Sequence, residues 1–203
     1  VEAWYPGQGG GDAIADVLFG DYSPSGRLPV TFYKSVEDLP PFEDYRMEGR
    51  TYRYFRGEPL FPFGHGLSYT TFAYSNLRLS AKTITSGQTL VISADVQNIG
   101  QRAGDEVVQL YVSDLAASAP VPIRQLQGFE RVHLAPAETK TVTFTLAPRQ
   151  LSLIDDEGRR MIEPGEFQVA VGGRQPRPED VAREGVAVLI GTFEVAGEVT
   201  EVT

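Results

Sequence analysis

The chain has no cysteine among its 203 residues. Disulfide scaffolds, thiolate metal sites and cysteine nucleophiles are therefore excluded, although the compartment stays open because many secreted bacterial proteins also avoid the residue. Histidine is nearly as scarce: His65 and His133 stand alone in different regions. Structural zinc needs four ligands and catalytic zinc typically three from the protein, so no metal site is expected from this pair. Positive charge is also short. Eighteen Lys and Arg against 27 Asp and Glu leave a net charge of −9, a field that repels phosphate backbones and anionic lipid and argues against nucleic-acid and membrane partners. No apolar run approaches the roughly 18 residues of a membrane-spanning helix. The opening Val1-Glu2-Ala3-Trp4 has neither the basic start nor the apolar stretch of a signal peptide. It also lacks an initiator Met, so the expectation is a sequence that begins inside a longer one.

What is present is globular: 41% hydrophobic and 22% charged residues, with 21 Gly and 14 Pro, rule out disorder and collagen-like repeats. The aromatics divide the chain. Residues 1–75 hold 16 of the 21 Phe, Trp and Tyr, together with ten Gly and seven Pro; the remaining 128 residues hold five aromatics. Charge does not follow this division, since both parts are mildly acidic, and no internal repeat or low-complexity tract occurs.

In the first part, Ile14, Val17 and Leu18 fall on one face at helical spacing, and Gly20 supplies a stop. Asp12 is placed as the N-cap or a first-turn acid of this helix. Ser23-Pro24-Ser25-Gly26 reads as a turn and Leu28–Phe32 as a short strand, at an edge because Pro29 cannot donate to a ladder. A helix followed by a strand is the expected tail of an α/β layer. Prolines 40, 41, 59 and 62 and four Gly make Glu37–Tyr69 an irregular, wrapped segment. Within it, Arg50, Arg53 and Arg56 interleave with Tyr52, Tyr54 and Phe55, which reads as a strand whose Arg side chains pair with nearby acids.

After residue 75 the period changes to two. Leu90, Ile92, Ala94 and Val96 alternate with more polar neighbours, as do Val108, Leu110 and Val112 around Gln109 and Tyr111. Val142, Phe144 and Leu146 sit between threonines, and Phe167, Val169 and Val171 repeat the pattern. About seven half-buried strands with turn signals between them fit a two-sheet antiparallel sandwich of the immunoglobulin or fibronectin type III kind. That sandwich can close its own core. Residues 1–75 cannot, because one helix and one or two strands leave their aromatics without a partner surface.

The chemistry-bearing candidates are weak. Gly7-Gln8-Gly9-Gly10-Gly11-Asp12 precedes a helix, but it lacks the third glycine of a dinucleotide fingerprint and puts a carboxylate where phosphate would sit. A close backbone approach explains these glycines better. No Gly-x-Ser-x-Gly occurs. Asp155, Asp156 and Glu157 read as a solvated hairpin tip, and His65 between Gly64 and Gly66 as a packed turn. Glu37, Asp38, Glu43, Asp44 and Glu48 could border a cleft, with solvated surface the plainer reading.

Several ordered motifs together resemble glycoside hydrolase family 3. Trp4-Tyr5-Pro6-Gly7-Gln8, Ala13–Asp21 and Pro24–Phe32 are similar to the end of that family's α/β sandwich domain, and Leu60–Phe72 to its link into a C-terminal fibronectin type III-like domain. Val96-Gln97-Asn98, Ala103–Val112, Leu126-Gln127-Gly128-Phe129 and Glu163–Phe167 resemble the fibronectin-like domain itself. The resemblance implies a mixed fold: residues 1–75 end the α/β sandwich domain and its linker, and residues 76–203 form the β-sandwich.

It also implies a retaining exo-β-glycosidase that needs no cofactor, in which one carboxylate attacks the anomeric carbon and a second serves as acid and base. In the family the nucleophile is an Asp of an N-terminal (β/α)8 barrel, and the acid/base is usually a Glu upstream of the Trp-Tyr-Pro-Gly motif. Both lie outside these residues, so no catalytic residue is assigned here, and the expected partners are that barrel, the rest of the α/β domain and an oligosaccharide. Gly49-Arg50-Thr51-Tyr52-Arg53 looks closer to β-xylosidase-like members than to β-glucosidase-like ones. The alternatives left open are β-glucosidase specificity and a free-standing carbohydrate-binding module without catalysis. Periplasm or secretion is favoured over the cytoplasm.

Overall fold

The computed structural model describes residues 1–177 and 188–202. Helix α1 spans Gly10–Phe19, and Gly20, at φ 85°, ends it by turning its N–H back to the carbonyls of Asp16 and Val17. Gly9 occupies the N-cap, and Asp12 sits in the first turn without a side-chain cap bond. Of its two expected roles the acid therefore takes the second, favourable to the helix dipole. The close approach expected of the glycines is real at Gly10, where a Cβ would lie 2.6 Å from the Pro6 ring.

The expected strand over Leu28–Phe32 is reduced to two points of antiparallel contact. Leu28 exchanges hydrogen bonds with Gly64 and His65, and Phe32 with Leu60 and Phe61. Pro29 and Pro62 each lack a donor between those points, so the ladder cannot run continuously. The wrapped segment contains a 3-10 turn at Val36–Asp38, capped by Ser35, and a single helical turn α2 at Thr51–Tyr54. This corrects the reading of Arg50–Arg56 as a strand. Arg50 reaches back to the carbonyls of Arg46, Pro41 and Asp44 and closes the loop ahead of α2. Its guanidinium thus satisfies backbone rather than an acid, and Arg53 lies over the Tyr52 ring at 5.9 Å.

Eleven strands follow among the described residues. β1 (Phe72–Leu79), β3 (Leu90–Asn98) and β6 (Thr139–Leu146) form one sheet in the order β1-β3-β6. The facing sheet runs β2-β10-β9-β4-β5, from β2 (Thr83–Thr85), β10 (Val188–Ala196), β9 (Gly165–Gly172), β4 (Gly104–Asp114) and β5 (Gln125–Leu134). β7 (Leu153–Ile154), β8 (Arg160–Ile162) and β11 (Thr200–Glu201) make a small flanking sheet. Seven long strands carry the sandwich as the periodicity implies, and the short β2 adds a parallel pairing to β10 at its edge.

The core lies between the two large sheets. Ile92, Ala94 and Val96 of β3 and Val142 and Leu146 of β6 meet Val108 and Leu110 of β4 and Val169 and Val171 of β9, all nearly inaccessible. One expectation fails here. β4 is not half-buried: Gln109 and Tyr111, on its opposite face, are 3% and 1% exposed. The aromatic-rich part of the chain covers that face, where Tyr52 and Phe63 pack with Tyr111, Ala170 and Val188.

Candidate functional site

The seam between the two parts is built from polar groups that only folding brings together. Arg27 donates from Nη2 to Glu106 Oε2 at 2.8 Å, from Nε to the Gly173 carbonyl at 3.2 Å, and from Nη1 to the carbonyls of Ser25 and Gly26. Tyr74 OH donates to the other Glu106 oxygen at 2.9 Å. The pair is buried, with the Arg27 and Glu106 side chains 10% and 4% exposed. Burial still dominates: it pushes the Glu106 carboxyl above the usual range against the opposing pull of Arg27 and Tyr74, and it drives the Tyr74 hydroxyl up as well.

A second set of contacts continues the seam. Gln109 Nε2 donates to the carbonyls of Gly64 and Gly173, and Tyr111 OH donates to Gln109 Oε1 at 2.5 Å. Gly64, at φ 78°, admits this geometry, since a Cβ there would collide with Gln109 and lie 2.7 Å from the Tyr111 hydroxyl oxygen. Tyr52 stacks on Phe63 with centroids 4.1 Å apart and meets Tyr111 edge to face. Such pairs are worth about 0.5–1.5 kcal/mol beyond their area. The Tyr52 hydroxyl accepts the Leu126 N–H, and the Arg53 carbonyl accepts the Ile123 N–H. Farther along, Arg131 joins Asp105 to the Tyr22 hydroxyl, and the Tyr69 hydroxyl donates to the Val17 carbonyl.

Beside this seam lies a groove of about 500 Å³, walled by Tyr52, Phe55 and Pro62 from the wrapped segment and by Ile123, Arg124 and Gln175 from the sandwich. Among the described residues Glu58 is the one acid on its wall, and it is paired with Lys34 at 2.5 Å, which lowers its carboxyl below the usual range. Among the described residues the groove therefore presents no pair of facing carboxylates, ~5–5.5 Å apart, of the kind a retaining glycosidase requires.

The residues weighed from sequence take structural places. Glu37 and Asp38 lie in the turn capped by Ser35, and Asp44 binds Arg46, whose hydrogen bond brings that carboxyl down to about 2. Glu43 and Glu48 are exposed. Asp155 accepts the N–H groups of Glu157 and Arg159 at the β7–β8 hairpin tip. His65 stacks on Phe61 at 5.3 Å in the expected packed turn, and burial, aided by Arg177, Arg27 and Arg174, lowers its pKa. His133 sits instead on Asp105, Nδ1 to Oδ1 at 2.6 Å. Among the described residues no group of three His, Asp or Glu could hold a metal ion. The Arg27–Glu106 pair and the groove were missed. Glu106 and Gln109 share a strand with the core residues Val108, Leu110 and Val112, but nothing in the sequence pairs Glu106 with Arg27.

Residues 1–69 match the model of the glycosyl hydrolase family 3 C-terminal domain, and residues 106–175 match the fibronectin type III-like domain. A xylan 1,4-beta-xylosidase of Xylanibacter ruminicola is 46% identical over 85% of this chain and 20% of its own length. A periplasmic beta-glucosidase of Salmonella typhimurium is 42% identical over 85% of this chain and 24% of its own. Among solved structures, beta-glucosidase 3B of Thermotoga neapolitana superposes with a TM-score of 0.81 at 34% identity, over 96% of this chain and 28% of that one. The chain thus spans about a quarter of the length of the relatives it matches. Two ordered domain matches and a common fold across their seam place the chain in glycoside hydrolase family 3, as part of the C-terminal portion of its enzymes.

Proposed function

We propose that this chain is the scaffolding portion of a retaining exo-β-glycosidase that releases terminal β-D-xylosyl or β-D-glucosyl residues from oligosaccharides. Residues 1–75 would complete an α/β sandwich domain, residues 76–203 would be its fibronectin-like brace, and both catalytic carboxylates would belong to sequence outside these 203 residues. The observation that carries the reading is the unequal surface of the first part. Its inner side is locked to the sandwich by Arg27, Tyr52 and Phe63, while Trp4, Leu18, Phe19, Phe42 and Tyr45 are 56–90% exposed. Apolar surface of that extent on a locked segment fits a face that another part of a larger protein covers.

The names of the relatives support both sugars, and pocket shape decides between two substrates that differ by one hydroxymethyl group. The name of the Salmonella relative supports a periplasmic or secreted location, and no described helix is long and apolar enough to cross a membrane. The test is complementation. Mixed with the separately produced barrel and remaining α/β portion of its natural protein, this chain is expected to restore release of nitrophenol from aryl β-xylosides or β-glucosides. A chain carrying Arg27→Met should restore less. Full activity of the other portion without this chain would contradict the role.

A further inference from the structure

The groove at the seam contains unmet chemistry that the scaffolding role does not use. Among the described residues, two buried side-chain polar atoms lack a hydrogen-bond partner, Thr31 Oγ1 and Gln175 Oε1, and both residues line this groove. Gln175 is only 6% exposed. Leaving such an atom unpaired costs about 1–3 kcal/mol, so a pair of them at one groove is an unusual arrangement for structure alone. Two of the cations on its wall, Arg124 and Arg56, lack an acidic partner among the described residues. Arg124 is half-buried on the same wall, and no acidic partner faces it among the described residues; burial lowers its pKa, with only the Tyr111 hydroxyl opposing. Arg56, exposed at the rim, is likewise without an acidic partner among them, and Glu58, the one acid among the described residues of the wall, is held by Lys34.

These groups specify a ligand by complementarity. The guanidinium of Arg124 offers only donors and calls for an anionic acceptor, to which a carboxylate is suited by its two parallel oxygens. Gln175 Oε1 is an acceptor and calls for a hydroxyl donor, which a simple carboxylate does not carry. Thr31 Oγ1 can donate or accept. Tyr52, Phe55, Pro59 and Pro62 supply apolar wall against which the C–H face of a ring can lie. A volume of about 500 Å³ is within the range of small-molecule sites.

We infer that the groove between the wrapped segment and the sandwich is a binding site for an acidic sugar, a hexuronate whose carboxylate is taken by Arg124 and Arg56 and whose hydroxyls pair with Gln175 and Thr31. Among the described residues the groove has no pair of facing carboxylates, so these groups would hold the acidic sugar rather than cleave it.

The test is a ligand-observed NMR titration of the 203-residue chain with D-glucuronate, and in parallel with D-glucose and with inorganic phosphate. Glucuronate is expected to bind at one site, at least about tenfold more tightly than either control, and more weakly as salt rises. Arg124→Gln should weaken it about tenfold or more. Arg56→Gln, at an exposed position that folding does not need, should weaken it by a smaller factor. Equal binding of phosphate would reduce the groove to a general anion site and overturn the proposal. Equal binding of glucose, no binding of glucuronate, or binding that ignores both Arg substitutions would overturn it too. Because the titration reads binding alone, its failure leaves the hydrolase assignment standing.

Discussion

Thr70 and Asn98 are joined by a buried side-chain hydrogen bond of 2.6 Å, Thr70 Oγ1 to Asn98 Oδ1, across 28 residues of sequence. Asn98 is fully buried at the end of β3. Its Oδ1 also accepts the Gly100 N–H, and its Nδ2 donates to the carbonyls of Arg102 and Leu134. One amide therefore ties the linker to three turns or strand ends of the sandwich. Asn98→Ala leaves these partners buried and unpaired, and is expected to cost about 2–4 kcal/mol in denaturant unfolding. Thr70→Val, which removes one bond and keeps the shape, should cost about 1 kcal/mol. Equal losses would mean that the amide is not the hub.

The Arg27–Glu106 pair gives a different pattern. Arg27→Met leaves a buried carboxylate without its cation and should cost about 3–5 kcal/mol. Adding Glu106→Gln keeps an acceptor for Tyr74 while removing the charge, and should recover about 2 kcal/mol or more of that loss. A double-mutant cycle by chemical denaturation checks this, and additive losses would refute the coupling.

Gly64→Ala probes the backbone of the seam. At φ 78° an alanine is strained, and its methyl group would strike Gln109 and the Tyr111 hydroxyl. The expected cost is about 1–3 kcal/mol, with faster amide exchange at Gly64 and Leu28. Gly158→Ala, at the same φ but with open space at the β7–β8 tip, should cost less.

Acid should act through Asp95. Hydrogen bonds from Arg78, Thr141 and Asn76, strongest from Arg78, hold its carboxyl far below the usual range and bind β1 and β6 to β3. A folded-state pKa below the unfolded one, ~3.9, stabilises the protein above that pH and ceases to do so as pH falls toward the folded value. Asp95→Asn should therefore be less stable than the parent at pH 7, with the gap closing as pH falls below about 4. Glu106 has the opposite sign. Its raised folded pKa makes ionisation costly, so stability declines as pH rises from ~4.3 through the folded value. Glu106→Gln should lose that decline. Thermal melts of both variants across pH give the answer.

The sandwich was legible because β3, β6 and β9 repeat apolar residues every second position, and Gly20 announced the end of α1. What periodicity could not supply was the second burial of β4. Gln109 and Tyr111 look solvent-facing because the pattern records one sheet face, while their cover comes from Tyr52 and Phe63, 46 or more residues earlier. The strand expected at Arg50–Arg56 fails for a different reason. Its arginines recur every third residue, at 50, 53 and 56, which is no period-two signal, and the Arg50 side chain closes a loop onto backbone carbonyls ahead of a helical turn. Buried ion pairs such as Arg27 with Glu106 have no local signature at all, since each partner is an ordinary charged residue until the fold removes water from both.

The proposed role of these residues is to hold a glycosidase in shape without supplying its acids. The direct measurement is nitrophenol release from 4-nitrophenyl β-D-xyloside and β-D-glucoside by the folded 203-residue chain alone. No turnover above buffer is expected at any pH from 4 to 8. Turnover that disappears when one Asp or Glu of this chain is replaced by Asn or Gln would contradict it.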